Sequence, residues 1–159
     1  MKVGILFGSR SDTDRMKGAA RCLEEFDIPW EAHVLSAHRV PDELEKELAR
    51  MQAEGVRVLI CGAGLAAHLP GVVASKTILP VIGVPISAKI NGLDALYSIV
   101  QMPKPIPVAC VGIDNAYNAG MLAIQMLALG NDDLSRRLVE WRQKMRADFI
   151  ADNGGGVDL

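Results

Sequence analysis

Short apolar runs and helical stripes alternate along this chain from one end to the other. Lys2–Phe7 reads as an apolar strand closed by Gly8. Ser11–Phe26 has helical spacing, with Met16, Ala20 and Leu23 on one stripe and Ser11 or Asp12 as its cap. Trp30–Ser36 is a second strand. Pro41–Glu54 reads as a helix: Pro41 suits a first turn, Leu44, Leu48 and Met51 share a face, and Gly55 stands at its end. Val56–Cys61 is continuously apolar, as expected of a strand covered on both faces. The same reading gives a short helix at His68–Lys76, a strand at Leu79–Val84 and a helix at Asn91–Gln101. A strand at Pro107–Val111 and a helix at Asp114–Leu129, capped by Asp114, come next. The last helix, Asp132–Ile150, carries Leu134, Leu138, Trp141 and Met145 on one stripe. That stripe is a packing face, within the domain or against a sister subunit.

Strand–helix alternation of this kind predicts a three-layer α/β/α sandwich of flavodoxin-like type. The expected core is a parallel sheet of about five strands, followed by a C-terminal helix. The length, 159 residues, suits one domain. We expect residues 1–150 to form it and residues 151–159, with Gly154, Gly155 and Gly156, to be a flexible tail.

Composition narrows the chemistry. Half the residues are hydrophobic but only 4% are aromatic, so the core must be aliphatic. A net charge of −2 lacks the basic excess of a nucleic-acid binder. Cys22, Cys61 and Cys110 are odd in number and far apart. They read as buried reduced thiols rather than a disulfide framework or a zinc site. The first apolar run is too short for a signal-peptide core, and no apolar stretch reaches membrane-spanning length. A soluble cytoplasmic protein is the expectation.

In parallel α/β sheets, ligands bind beyond the carboxyl ends of the strands. Four such ends here carry unusual residues: Gly8–Asp12, Ser36–Arg39, Gly62–Gly71 and Pro85–Lys89. In the first, Gly8, Ser9, Ser11 and Asp12 form either an ordinary capping turn or an anion site, where Asp12 suits a ribose diol. The turn lacks the glycine and lysine pattern of a P-loop or dinucleotide fingerprint. In the second, Arg39 can hold a phosphate with a planar fork of donors. His38, beside it, belongs to the residue type that moves protons near neutral pH. In the third, Gly64, Leu65, Ala66, His68 and Leu69 leave room for a small ligand group against main chain. There His68 is either a ligand contact or the satisfied histidine of a tight junction. No third ligand stands out to join His38 and His68 at a metal. His33, inside a strand, reads as structural.

Gly8-Ser9-Arg10-Ser11-Asp12, Ser36-Ala37-His38-Arg39, Gly62–Gly71 and Leu96-Tyr97-Ser98-Ile99-Val100-Gln101-Met102-Pro103 occur in this order. Together they closely resemble the N5-carboxyaminoimidazole ribonucleotide mutase family of de novo purine biosynthesis, over about Val3 to Met145. The resemblance implies a homo-octamer of three-layer α/β/α subunits. It implies conversion of N5-carboxyaminoimidazole ribonucleotide to 4-carboxyaminoimidazole ribonucleotide, without metal, ATP or other cofactor. By the same resemblance, Ser9, Asp12 and Arg39 bind the nucleotide and His38 is the general acid and base. His68 lies in the loop shaping the carboxylate and carbon dioxide pocket, and Ser11, Ser36, Gly64, Leu65, Ala66 and Leu69 complete the substrate set. Arg39 and Ala66–Gly71 match the branch that migrates the carboxyl group rather than the branch that carboxylates aminoimidazole ribonucleotide directly. Leu65 departs from the family pattern, where glycine is common, and Lys104-Pro105 replaces a frequent Gly-Gly. Two other readings compete: the direct carboxylase, and a non-enzymatic nucleotide- or flavin-binding module of flavodoxin-like fold.

Overall fold

The computed structural model describes residues 1–156. Five parallel strands form one sheet in the order β2-β1-β3-β4-β5. They are β1 (Lys2–Phe7), β2 (Trp30–Val34), β3 (Val56–Gly64), β4 (Val81–Ile86) and β5 (Ala109–Cys110). Six helices connect and cover them: α1 (Thr13–Glu25), α2 (Pro41–Ala53), α3 (His68–Ala74), α4 (Leu93–Val100), α5 (Ala116–Ala128) and α6 (Asp132–Asn153). The strand order is the flavodoxin-like one, with the chain reversing its direction of growth between β1 and β3.

Alternation along each strand builds two cores. Val3, Ile5, Phe7, Val58, Ile60, Ile82 and Val84 face one side and pack with α1, α5 and α6. Leu6, Leu59, Cys61, Ala63 and Val81 face the other and pack with residues of α2, α3 and α4. Burial on both faces explains why β3 and β4 are almost continuously apolar. The core is aliphatic as expected, with Phe7 and Phe26 its only fully buried aromatic rings among the described residues.

The element boundaries show where local chemistry overrides the periodic pattern. Arg10–Asp12 is a 3-10 turn rather than the start of α1, because Ser9 accepts a hydrogen bond from the Ser11 amide and caps that turn instead. Asp114 does not cap α5. Its φ is +56°, and Asn115 takes the cap by accepting from the Asn118 amide at 3.2 Å. β3 runs three residues past Cys61 to Gly64, pairing Gly64 with Ile86. α6 continues to Asn153, so residues 151–153 of the expected tail are helical. Residues 157–159 of that tail lie outside the described residues. The stripe on α6 divides: Leu134 and Leu138 are buried, Trp141 packs 5.9 Å from Phe26, and Met145 is half exposed.

Candidate functional site

All four ligand-ready turns lie at the carboxyl edge of the sheet, and a single cavity of about 560 Å³ opens among them. The β1 turn contributes Gly8, Ser9, Ser11 and Asp12, and the β2 turn contributes Ser36, Ala37, His38 and Arg39. The β3–α3 loop contributes residues 63–69, and β4 ends in Ile86, Ser87 and Ala88 at the far wall. All eleven residues proposed from the sequence line this one space. Four neighbouring strand ends at about 4.8 Å spacing give it a reach of about 14 Å.

Each turn is fixed by its own hydrogen bonds. The Ser11 hydroxyl donates to Ser9 Oγ at 2.8 Å, so the serines of the β1 turn form one cluster beside Asp12. The β2 turn folds back on Ser36, whose carbonyl accepts from the Arg39 and Val40 amides. This aims the Arg39 guanidinium across the cavity mouth, where Nη2 donates to the Gly8 carbonyl at 2.6 Å. Arg39 thereby ties the β2 turn to the β1 turn while its other donors remain at the opening.

The β3–α3 loop is unusual in its backbone. Leu65 and Ala67 both sit at positive φ, +56° and +49°. That region costs an L residue about 1 kcal/mol or more, and glycine is its usual occupant. The Leu65 departure from the family pattern therefore falls on a position that adopts glycine-like geometry. The contortion turns His68 toward the β2 turn. His38 Nε2 and His68 Nδ1 lie 2.8 Å apart, with the rings edge to face. One ring donates and the other accepts, so the tautomer of each fixes that of the other. His68 is thus a hydrogen-bond partner of His38.

The far wall was missed as a site, although its rim position was legible. The Ser87 amide donates to Asp114 Oδ1 at 3.0 Å, and the Ser87 hydroxyl donates to Asp114 Oδ2. Arg15 Nε lies 3.3 Å from the same carboxylate. Burial opposes the Asp114 charge, yet the bonds from Ser87 and the Arg15 charge outweigh it and hold the carboxyl below its ordinary range.

The remaining titratable groups lie away from the cavity. His33 is structural, as expected: its Nε2 sits 3.0 Å from Glu31 Oε2 and 3.1 Å from Glu47 Oε1. Those three are the only described residues that converge as a metal-binding set would. Arg50 Nη2, 2.5 Å from an oxygen of each carboxylate, already occupies that position. Burial opposes the Glu31 charge, but hydrogen bonds from Lys2, Arg50 and His33 draw its carboxyl down to about 2. Cys22 and Cys61 are buried and Cys110 half-buried, all three as free thiols. Burial pushes the Cys22 thiol up to about 11 and raises the other two. None lines the cavity, which leaves them inert.

Comparison with known proteins agrees with this geometry. The family model described as AIR carboxylase matches residues 2–148. A Pyrococcus abyssi protein named N5-carboxyaminoimidazole ribonucleotide mutase is 51% identical over 146 residues, covering 91% of this chain and 84% of that one. A Candida glabrata protein named phosphoribosylaminoimidazole carboxylase is 44% identical over 149 residues, 93% of this chain but 26% of that longer one. The solved structure of Treponema denticola PurE superposes with a TM-score of 0.87 at 26% identity, covering 96% of each chain. With nearly its whole length matched and its cavity built from the expected turns, this chain belongs to the AIR carboxylase family.

Proposed function

We propose that this chain is an N5-carboxyaminoimidazole ribonucleotide mutase of purine biosynthesis, with His38 as its general acid and base. The observation that carries the proposal is the His38–His68 pair, held at 2.8 Å in the same cavity as the Arg39 guanidinium. A proton carrier and an anion holder face one ligand-sized space.

The reaction moves a carboxyl group from an exocyclic nitrogen to a carbon of the same imidazole. Loss of carbon dioxide is the simplest route: the N–C bond breaks, and the nitrogen takes a proton from His38. The ring carbon then attacks the retained carbon dioxide, and its hydrogen leaves as a proton to the same histidine. Protons and electrons balance over the cycle. His68, hydrogen-bonded to His38 Nε2, orients the ring that gives and takes these protons. Arg39, Ser9, Ser11 and Asp12 hold the ribose phosphate, so binding energy remote from the chemistry positions the ring. Gly64, Leu65, Ala66 and Leu69 shape the pocket that retains carbon dioxide, with Ser36 at its side. The His68 and Leu69 amides, in the first turn of α3, have no partner within the helix and suit a carboxylate.

Both histidines are exposed in the single chain, so assembly must help to exclude water. Exposed apolar side chains on α4 (Leu93, Tyr97, Val100) and α6 (Met145, Phe149, Ile150) support an oligomer, which the family resemblance implies is an octamer. No described helix is long and apolar enough to cross a membrane, and a cytoplasmic setting is implied by the family resemblance alone. The resemblance requires no cofactor.

The direct carboxylase is the competing reading, favoured by the name of the Candida relative. Arg39 and the Ala66–Gly71 run match the mutase branch instead. Incubation with the carboxyamino nucleotide, and separately with aminoimidazole ribonucleotide and bicarbonate, distinguishes them. We expect rapid formation of 4-carboxyaminoimidazole ribonucleotide from the first. Faster formation from the second contradicts the proposal.

A further inference from the structure

We infer that Ser87 contacts the substrate, presenting its hydroxyl oxygen to the exocyclic amino group of the imidazole nucleotide, and that Asp114 is the positioning residue that fixes this orientation. The inference rests on the mutase reading and adds a recognition element at the wall opposite Arg39.

The argument starts from hydrogen-bond inventory. A hydroxyl has one proton and two lone pairs, and a carboxylate only accepts. The Ser87 proton is committed to Asp114 Oδ2 and its amide to Asp114 Oδ1 at 3.0 Å. Whatever else meets Ser87 Oγ must therefore be a donor. Ser87 lines the cavity, so that donor belongs to the ligand.

The surroundings hold this arrangement in place. The Asp114 amide donates to the Pro85 carbonyl at 2.9 Å, locking the β5–α5 turn onto the end of β4. Asp114 takes a positive φ of +56° to reach Ser87. Arg15, reaching from α1, places its Nε 3.3 Å from the carboxylate. On the other side the chain passes close at Gly92, where a Cβ would lie 3.2 Å from the Ser87 Cα and 2.7 Å from Ile113 Cγ2. Segments distant in sequence thus converge on the Ser87–Asp114 pair.

Charge selects the donor. The Asp114 carboxylate behind Ser87 repels phosphate and the migrating carboxylate, and both have cationic or amide partners elsewhere in the cavity. The nucleotide's phosphate goes to Arg39 at the β2 end. With the guanidinium on the Gly8 carbonyl and His38 reaching in from the β2 turn, the end of β4 meets the far edge of the heterocycle. The donor available there is the amino group that remains on the ring after carbon dioxide leaves.

Calorimetry with two nucleotides tests this: 5-aminoimidazole ribonucleotide and imidazole ribonucleotide, which lacks the amino group. Ser87→Ala should weaken the first about tenfold, as for one lost hydrogen bond, and the second less than about twofold. Ser87→Thr should restore the first. Asp114→Asn, whose amide can donate to Ser87 Oγ and free the serine proton, should also weaken the amino ligand selectively. In turnover, Ser87→Ala should lower kcat more than it raises KM, because the amino group it meets forms only once carbon dioxide has left. Equal weakening of both nucleotides, or of neither, overturns the inference while leaving the mutase reading intact. A folded wild-type protein that binds neither nucleotide overturns the mutase reading and this inference with it.

Discussion

Helices α1 and α5 cross closely at Gly120, and the crossing yields a prediction with a calculable size. A Cβ on Gly120 would lie 2.8 Å from the Cys22 Cβ and 2.9 Å from the Ala19 carbonyl oxygen. Carbon contacts are comfortable from about 3.5 Å, and neither obstacle is the free end of a side chain. In Gly120→Ala the helices must part by roughly 0.7 Å at that point. Overpacking of this kind costs about 1–3 kcal/mol. Replacing a mid-helix glycine by alanine returns about 1 kcal/mol of helix propensity. The net loss is about 1 kcal/mol and at most about 2, which for a domain of this size lowers Tm by about 2–8 °C. Gly130→Ala is the control, since nothing lies within 4 Å of its Cβ. It should be neutral or slightly stabilising. Urea unfolding of both variants, fitted for midpoint and slope, measures the contrast. A Gly120→Ala protein as stable as Gly130→Ala would refute the close-crossing argument.

Three further outcomes follow from local chemistry. Asn131 Oδ1 accepts from the Leu134 amide at 3.0 Å and caps α6, so Asn131→Ala should cost about 1 kcal/mol in urea unfolding. Glu31 is held at about 2 against an ordinary 4.5, so its stabilisation is complete above pH 4.5 and is lost as pH falls toward 2. Glu31→Gln should therefore flatten the stability profile across that window and cost about 1–2 kcal/mol at neutral pH, a modest figure because the cluster borders solvent. Arg39→Ala should weaken binding of a phosphorylated nucleotide about 10–100-fold by calorimetry; an unchanged dissociation constant contradicts the phosphate role.

The ends of strands were legible because parallel α/β architecture makes their position a rule. Ser9, His38, Arg39 and His68 are far apart in the chain, yet each follows a strand, so the fold alone brings them to one cavity. What stayed hidden depends on contacts that no local pattern encodes. Asp114 read as a helix cap because Asp favours that place; only the structure shows it turned at positive φ toward Ser87, 27 residues away. The His38–His68 bond could not be read because it needs left-handed backbone at Leu65 and Ala67, which neither residue type announces. His33 was legible as structural, but its bridging by Glu31, Glu47 and Arg50 joins β2 to α2 through side chains that periodicity marks only as polar.

The central claim is that His38 carries both protons of a carboxyl migration in the cavity at the sheet's carboxyl edge. Its most direct test is single-turnover kinetics of His38→Asn on N5-carboxyaminoimidazole ribonucleotide, with nucleotide binding measured on the same sample. The account predicts a folded protein that binds nucleotide within a fewfold of wild type and loses at least about 100-fold in turnover, the usual scale of a positioned acid–base group. Near-normal turnover in that variant would contradict it.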